Sequence, residues 1–424
     1  MKRILISLLI GAMALTSAPL VHAQKLADYE SRMNVDLRSA KLERDSQQSK
    51  VDRLSDYDFA CKAVEEYYLC RDTDKEVDMS LYFGEQIMPL LTAKMDIDKH
   101  KRTAYNKEYN NYRVTVKPMY EEKWYSNEHE TFLILATERA WYETDYPTTI
   151  GDVLDIKISK AGNRVITECY NHGGFDWIYG EMDSKYKAMI ERKGNGLLQA
   201  STDWNKGVKE IMMRIDKYAE EMNNPQVASY SQKGEESTAL LRASQNVTRN
   251  QVVNWARNNY DEGRPVSSKA SVPYYDFSQL TNQYDCTNFV SHALLAGGAK
   301  MNDKGRAGLQ ESDQWYFRSE RNRSTSWSGV NQLYSFLTRS RPGNSNVGPY
   351  AEEIPCDYRN ALYGDVVQFY NGSIWRHSTI VTSRGNNKIY VTGRTSPGVF
   401  NNNDEVRDFV GMTRYRLLHI LGTY

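Results

Sequence analysis

The apolar positions of this chain change period several times, and the changes divide it into segments. Residues 24–79 are charge-rich, with helical apolar spacing around Phe59-Ala60 and from Val64 to Leu69. Helix continues over 80–98, where Leu81, Ile87, Leu90, Leu91 and Met95 form one stripe for burial. The period then drops to two. Tyr112–Val116 and Thr131–Trp141 read as strands. Leu154, Ile156 and Ile158 alternate with Asp155 and Lys157, followed by a turn at Ala161-Gly162-Asn163 and a strand from Arg164 to Tyr170. Helices followed by an antiparallel meander predict an α+β unit over 80–183.

From Ser184 to Met222 the pattern is helical and charged, broken at Gly194-Asn195-Gly196. Asn223 to Ser237 is polar and without apolar period, so 184–246 reads as a charged helix and a linker. A last domain, 247–424, opens with a short helix holding Val253, Ala256 and Arg257. A helix from Cys286 to Gly297-Gly298 follows, then a long loop with Trp315-Tyr316 and Ser326-Trp327. Strands are predicted at Asp365–Tyr370, Trp375–Thr382, Lys388–Thr392 and Arg414–Leu421.

The N-terminus reads as an export signal over residues 1–23: Lys2-Arg3, an apolar core over 4–18, then Val21-His22-Ala23 before a cut ahead of Gln24. An uncleaved N-terminal anchor is the competing reading. There is no second apolar run to hold a stable membrane insertion after cleavage, so the expectation is a secreted, extracellular or wall-associated protein. Lys plus Arg equals Asp plus Glu at 54 each, for a formal net charge of +0, which argues against nucleic acid or an anionic membrane as main partner. The five cysteines, Cys61, Cys70, Cys169, Cys286 and Cys356, are an odd count that flags a free thiol in an oxidising compartment. Cys61 and Cys70 would stand about 13 Å apart along a straight helix, too far to bridge, and the sequence does not fix the other pairings.

The candidate chemistry centres on Tyr284-Asp285-Cys286-Thr287-Asn288-Phe289-Val290-Ser291. A thiol at a helix start meets free backbone N–H groups and the positive helix end, which favour the thiolate. Asp285 is placed to cap that helix, and its charge would oppose the thiolate slightly. A small buried residue filling a gap is the competing role for Cys286. His292, six residues on, is rotated by about 600° and displaced by about 9 Å, so it cannot face the thiol. His419 alternates with Leu417 and Leu421 and reads as a packed histidine. His377 shares a strand face with Trp375, Thr379 and Val381, and is the general base by elimination and placement. Cys286 and His377 would then perform acyl transfer.

The other signals are weaker. Gly-x-Gly-x-x-Gly and P-loop patterns are missing, and His100, His129 and His172 lack metal-ligand spacing, so neither a cofactor nor a metal is expected. Glu65-Glu66 and Glu220-Glu221 read as solvated helix faces.

Asp-Cys-Thr-Asn-Phe-Val-Ser, Ala-Gly-Gly, Gly364-Asp365-Val366-Val367-Gln368-Phe369 and His377-Ser378 with Ile380-Val381, in that order, resemble the putative amidase domain of secreted bacterial proteins. That family is similar to the NlpC-type and CHAP-type papain-like cell-wall hydrolases. Trp315-Tyr316 and Ser326-Trp327-Ser328-Gly329-Val330 match its middle region, and the resemblance covers about residues 247–424. It implies a papain-like fold, Cys286 as nucleophile and His377 as general base; separately, the aromatics Tyr284, Trp315, Trp327 and Trp375 are expected to line a substrate cleft, with core packing as their competing role. Residues 80–180 more weakly resemble a SnoaL-like cone.

The chain departs from the family at the third catalytic position. The family pattern is Val-Thr-x-His-Thr, whereas here Val391-Thr392-Gly393-Arg394-Thr395 stands. An arginine has only donors, cannot accept the imidazole N–H, and as a neighbouring cation disfavours imidazolium. Thr395, Asn386 and Asn387 are the other residues that could orient His377.

The sequence thus predicts an exported cysteine amidase or peptidase acting on peptidoglycan or another amide-containing polymer. A module that holds such a polymer in the same cleft without cutting it, and acyl transfer to an amine, are the alternatives.

Overall fold

The computed structural model describes residues 41–73, 75–119, 125–171, 177–191, 197–223, 247–261, 265–268, 271–280, 284–306, 308–339, 347–409 and 411–423. Residues 1–23, read from the sequence as an export signal, and most of the expected linker lie outside them. The chain forms two compact units, Met1–Ser55 and Asp56–Tyr424. In the first, residues 41–52 are helical. No helix among the described residues is long and apolar enough to cross a membrane.

The second unit is α+β. Its first half carries α1 (Asp56–Asp72), α2 (Met88–Ala104), β1 (Asn110–Pro118), β2 (Tyr125–Ser126), β3 (Glu130–Tyr142), β4 (Pro147–Ser159), β5 (Val165–Asn171), α3 (Trp177–Glu191) and α4 (Leu197–Asn223). The meander read from alternation is present. β4 begins earlier than predicted, because Thr148 and Thr149 are buried strand positions that do not look apolar. Glu66 is not on a solvated face: it is 7 % exposed and paired with Lys62 and Lys75.

The second half carries α5 (Arg249–Asn258), α6 (Cys286–Ala296), the short β6 (Leu309–Gln310), β7 (Phe317–Ser319) and β8 (Asn322–Ser324), α7 (Val330–Thr338), β9 (Pro349–Ile354), β10 (Val366–Tyr370), β11 (Trp375–Gly385), β12 (Lys388–Ser396), β13 (Val399–Glu405) and β14 (Arg414–Thr423). Gly297, after α6, is small for a packing reason. A Cβ there would stand 2.4 Å from Val252 Cγ2, so only glycine lets α5 lie this close.

The two halves, predicted as separate domains, share one sheet. Its path runs β1-β3-β4-β13-β12-β11-β10-β14-β9, with β2 on β3 and β5 on β4. The joint is β13 against β4: Phe400, Asn401 and Asn402 pair with Gly151, Ile150 and Thr149. β13 reads Val-Phe-Asn-Asn-Asn-Asp-Glu, a composition poor in strand formers, yet all seven residues are buried.

The amidase-like half has a core on each side of its sheet. On one face, α5, α6 and α7 cover Val366, Ile380, Leu418 and Ile420. On the other, Val367, Phe369, Val381, Val391 and Leu417 pack with Val153, Phe400, Phe409 and Met412. Side chains alternate between these faces along each strand.

Candidate functional site around Cys286

Cys286 opens α6, as its sequence context predicts, and is 3 % exposed. The start is anchored by the backbone, with Asp285 N–H donating to Thr395 O at 3.0 Å. The thiol donates toward Arg376 O at 3.9 Å and stands 3.8 Å from Thr287 Oγ1. Burial raises its pKa above the ordinary thiol value. The Ser378 backbone N–H and the Thr287 hydroxyl oppose that shift, and the charge of Asp285 adds to it.

Asp285 does not cap α6 through its side chain. Its carboxylate turns inward and accepts from Tyr274 Oη, from Phe277 N–H at 3.1 Å and from Asn288 Nδ2 at 3.0 Å. Burial and the neighbouring Asp276 push the carboxyl up to about 7, with Arg394 pulling the other way.

His377 lies on the opposite face of the sheet. Thr287 Oγ1 is 3.2 Å from Ser378 Oγ, and Gln368 Nε2 donates to that same hydroxyl at 3.0 Å, so Ser378 points toward α6. His377, one residue earlier, points the other way. Its ring lies 5.7 Å from Phe369 and 6.3 Å from Phe409, both members of the far core. Its Nε2 would stand 3.3 Å from a Cβ on Gly393. Burial, then the charge of Arg376, lowers its pKa to about 3, so the ring is neutral near pH 7. The base role expected for His377 requires it to face the thiol, and the structure does not bring the two side chains to one face.

Of the residues expected to orient His377, Arg394 is engaged elsewhere, the asparagines are distant, and the Thr395 hydroxyl is buried without a hydrogen-bond partner among the described residues. Arg394 is fully buried on the α6 side, where it meets Asp285 Oδ2 at 3.4 Å, Asp276 Oδ2 at 3.4 Å and the Asp261 carbonyl. Thr395 offers its carbonyl to Asp285. Asn386 and Asn387 make the β11–β12 turn at φ 51° and 61°. Gly385 beside them is eight residues from His377, roughly 26 Å along an extended strand.

Trp315 and Trp327, expected in the cleft, are instead 0 % exposed and belong to the core beneath α6. Trp327 Nε1 donates to Asn288 Oδ1 at 2.7 Å, and Trp315 Nε1 to Ser291 Oγ at 3.1 Å. They hold α6 and do not line a cleft. Tyr284, 42 % exposed, and the partly exposed Trp375 are the two expected cleft residues at the surface. His419 is held by Asp365, whose Oδ2 stands 3.0 Å from its Nδ1. All five cysteines are free. Among the described residues no group of three or more His, Cys, Asp or Glu could hold a metal ion.

Residues 246–416 match the family model of the putative amidase domain. No curated protein and no solved structure matches the chain. At family level the match points to amide hydrolysis, a hydrolase chemistry, for this segment. The amidase-domain segment also carries functional candidates that the sequence reading missed. Arg414 and Arg416 stack on Tyr370, Trp375 and Tyr334 at the sheet end nearest Tyr284. The signal was the Arg-x-Arg alternation that opens the predicted last strand.

Proposed function

We propose that the chain is an exported amidase-family protein that holds an amide-bearing polymer, with peptidoglycan stem peptide as the substrate class its resemblance implies. In the described form it does not cut that polymer. One observation carries this reading: Cys286, on α6, lies against one face of β11 while the His377 imidazole projects from the other, so the thiol has no imidazole to take its proton. A thiol kept protonated by burial attacks an amide poorly.

The cysteine amidase is the second reading, supported by the family match and by two irregularities in β11. Register shifts lie between Phe369/Tyr370 on its β10 edge and between Val381/Ser383 on its β12 edge, bracketing His377–Val381. A one-residue slip of that stretch would turn His377, Thr379 and Val381 toward α6, giving a papain-like pair.

Iodoacetamide labelling with the mapped cysteine as readout separates the two. Slow labelling of Cys286, unchanged by His377→Ala, together with no release of new carboxylate from wall fragments, is expected. Fast, selective labelling that His377→Ala slows would establish the amidase instead.

A further inference from the structure

The ladder of arginines and rings beside Cys286 is a built feature that the amidase motif does not explain. Arg416 is 6 % exposed, with its guanidinium between Tyr334 at 3.7 Å and Trp375 at 4.0 Å. Gln368 Oε1 accepts from its Nε at 2.8 Å, and Asn331 Oδ1 from its Nη2 at 3.4 Å. Arg414, exposed and two residues earlier on the same strand face, lies over Tyr370 at 4.1 Å. Among the described residues neither guanidinium stands in an ion pair. Glu353, one of the two acidic residues of neighbouring β9, accepts from the Tyr334 hydroxyl at 2.7 Å.

Burial disfavours the Arg416 guanidinium, the charge of Glu353 offsets this only in part, and a second arginine on the same face adds like-charge repulsion. Stacking on rings fixes the planes; with Nε and Nη2 of Arg416 donating to Gln368 and Asn331, its Nη1 edge and the guanidinium of Arg414 remain as donors. Two such edges side by side fit one carboxylate, which arginine binds in bidentate fashion. We propose that Arg416 and Arg414 form a subsite for the C-terminal carboxylate of a peptide whose chain runs past Cys286.

The register sets the length of that peptide. Gln368 pairs with Ser378 on one side and with Arg416 on the other, so Arg416 is two strands from Ser378, roughly 10 Å. The Ser378 backbone N–H bonds the Cys286 sulfur. A carboxylate on Arg416 would therefore lie about three extended residues from the thiol. A polyanion fits less well, because the arginine is recessed between rings and the chain's formal net charge is +0.

The inference rests on reading the Cys286 face as the one that holds the polymer, and the test separates the two claims. Acetyl-trialanine with a free carboxylate and the same peptide as its carboxamide are titrated calorimetrically into the full chain. The acid is expected to bind at least tenfold tighter. Arg416→Gln should abolish that preference, Arg416→Lys should keep part of it, and the exposed variant Arg414→Gln should reduce it severalfold without burdening the fold. Equal binding of acid and amide by the wild type, or a preference that survives both glutamine variants, overturns the carboxylate subsite while leaving the polymer-holding reading intact. Binding of neither peptide overturns both.

Discussion

The thiol of Cys286 touches the backbone on either side of His377, through Arg376 O and Ser378 N–H, yet the imidazole projects from the opposite face of that strand. The thiol thus donates to a backbone carbonyl and not to an imidazole, although a histidine stands on the strand it touches. The rate of Cys286 alkylation should rise with pH to a midpoint above the ordinary thiol value of about 8.5. His377→Ala should leave that midpoint in place. A midpoint near or below neutrality that moves upward in His377→Ala would show that the two groups share a proton.

Arg394 occupies the position where the family pattern has histidine, and it neutralises two buried carboxylates, Asp285 and Asp276. Removing one partner of a buried charge set leaves the other uncompensated, a loss on the order of 3–5 kcal/mol. Arg394→Met should lower stability by about that amount in urea titrations. Arg394→His restores the family residue but points at the aspartates, so it should cost stability without producing amide hydrolysis. New hydrolysis by that variant would show that side chain 394 can reach His377.

The architecture was legible where one period ruled. β3, β5 and α6 followed from alternation or helical spacing, and the helix start at Cys286 from the polar-to-apolar junction. The face of His377 was not legible, because His-Ser-Thr-Ile-Val offers a polar doublet and an apolar doublet. Ser378 or Thr379 suits either side, as does Ile380 or Val381, so the pattern specifies the register weakly. β13 was missed because Asn401, Asn402 and Asn403 are poor strand formers, and their place was set by tertiary partners such as Val391 O, which accepts from Asn401 Nδ2 at 3.0 Å. Trp315 and Trp327 were misplaced because an aromatic near a motif serves packing and binding equally well at the level of sequence.

Two buried histidines predict acid sensitivity. His292 is 0 % exposed, caged by Trp255, Tyr274, Phe317 and Trp327, with both ring nitrogens lacking partners among the described residues. Burial lowers its pKa from 6.5 to about 3, as for His377. The unfolded chain therefore binds more protons between those values, and stability falls as the pH drops from 6.5 toward 3. Each histidine removes about 2 kcal/mol by pH 5. Asp285 and Asp404, both raised to about 7 chiefly by burial, act in the opposite sense over pH 7 to 4. The informative measurement is therefore the difference between wild type and His292→Leu. The variant should lose about 2 kcal/mol less than wild type between pH 7 and pH 5, and equal losses would contradict a neutral buried imidazole.

The shared sheet makes the amidase-domain segment dependent on what precedes it. Without β4, β13 becomes an edge carrying Phe400, the far core loses Val153, and Asp408 loses the ammonium of Lys107. Residues 247–424 expressed alone should aggregate or run as higher oligomers in size-exclusion chromatography, whereas the full chain should unfold those residues together with 80–171. A monomeric, cooperatively melting fragment would show that the joint is dispensable.

Gly393, the x of Val-Thr-x-His-Thr, tests the placement of His377 directly. A Cβ there would meet Thr379 Cγ2 at 2.8 Å, Asn401 Oδ1 at 3.2 Å and His377 Nε2 at 3.3 Å. These groups converge on the glycine because the imidazole lies on the sheet face away from α6. Gly393→Ala should therefore overpack the far core and cost roughly 1–3 kcal/mol. It should shift the His377 ring resonances in an NMR spectrum while the alkylation rate of Cys286 stays unchanged, because the methyl group and the sulfur are on different faces. If the imidazole instead faced α6, the added methyl would leave its resonances in place. An unperturbed His377 signal in a stable Gly393→Ala protein would thus reverse the assignment of faces, and with it the reading of this chain as a holder of its polymer.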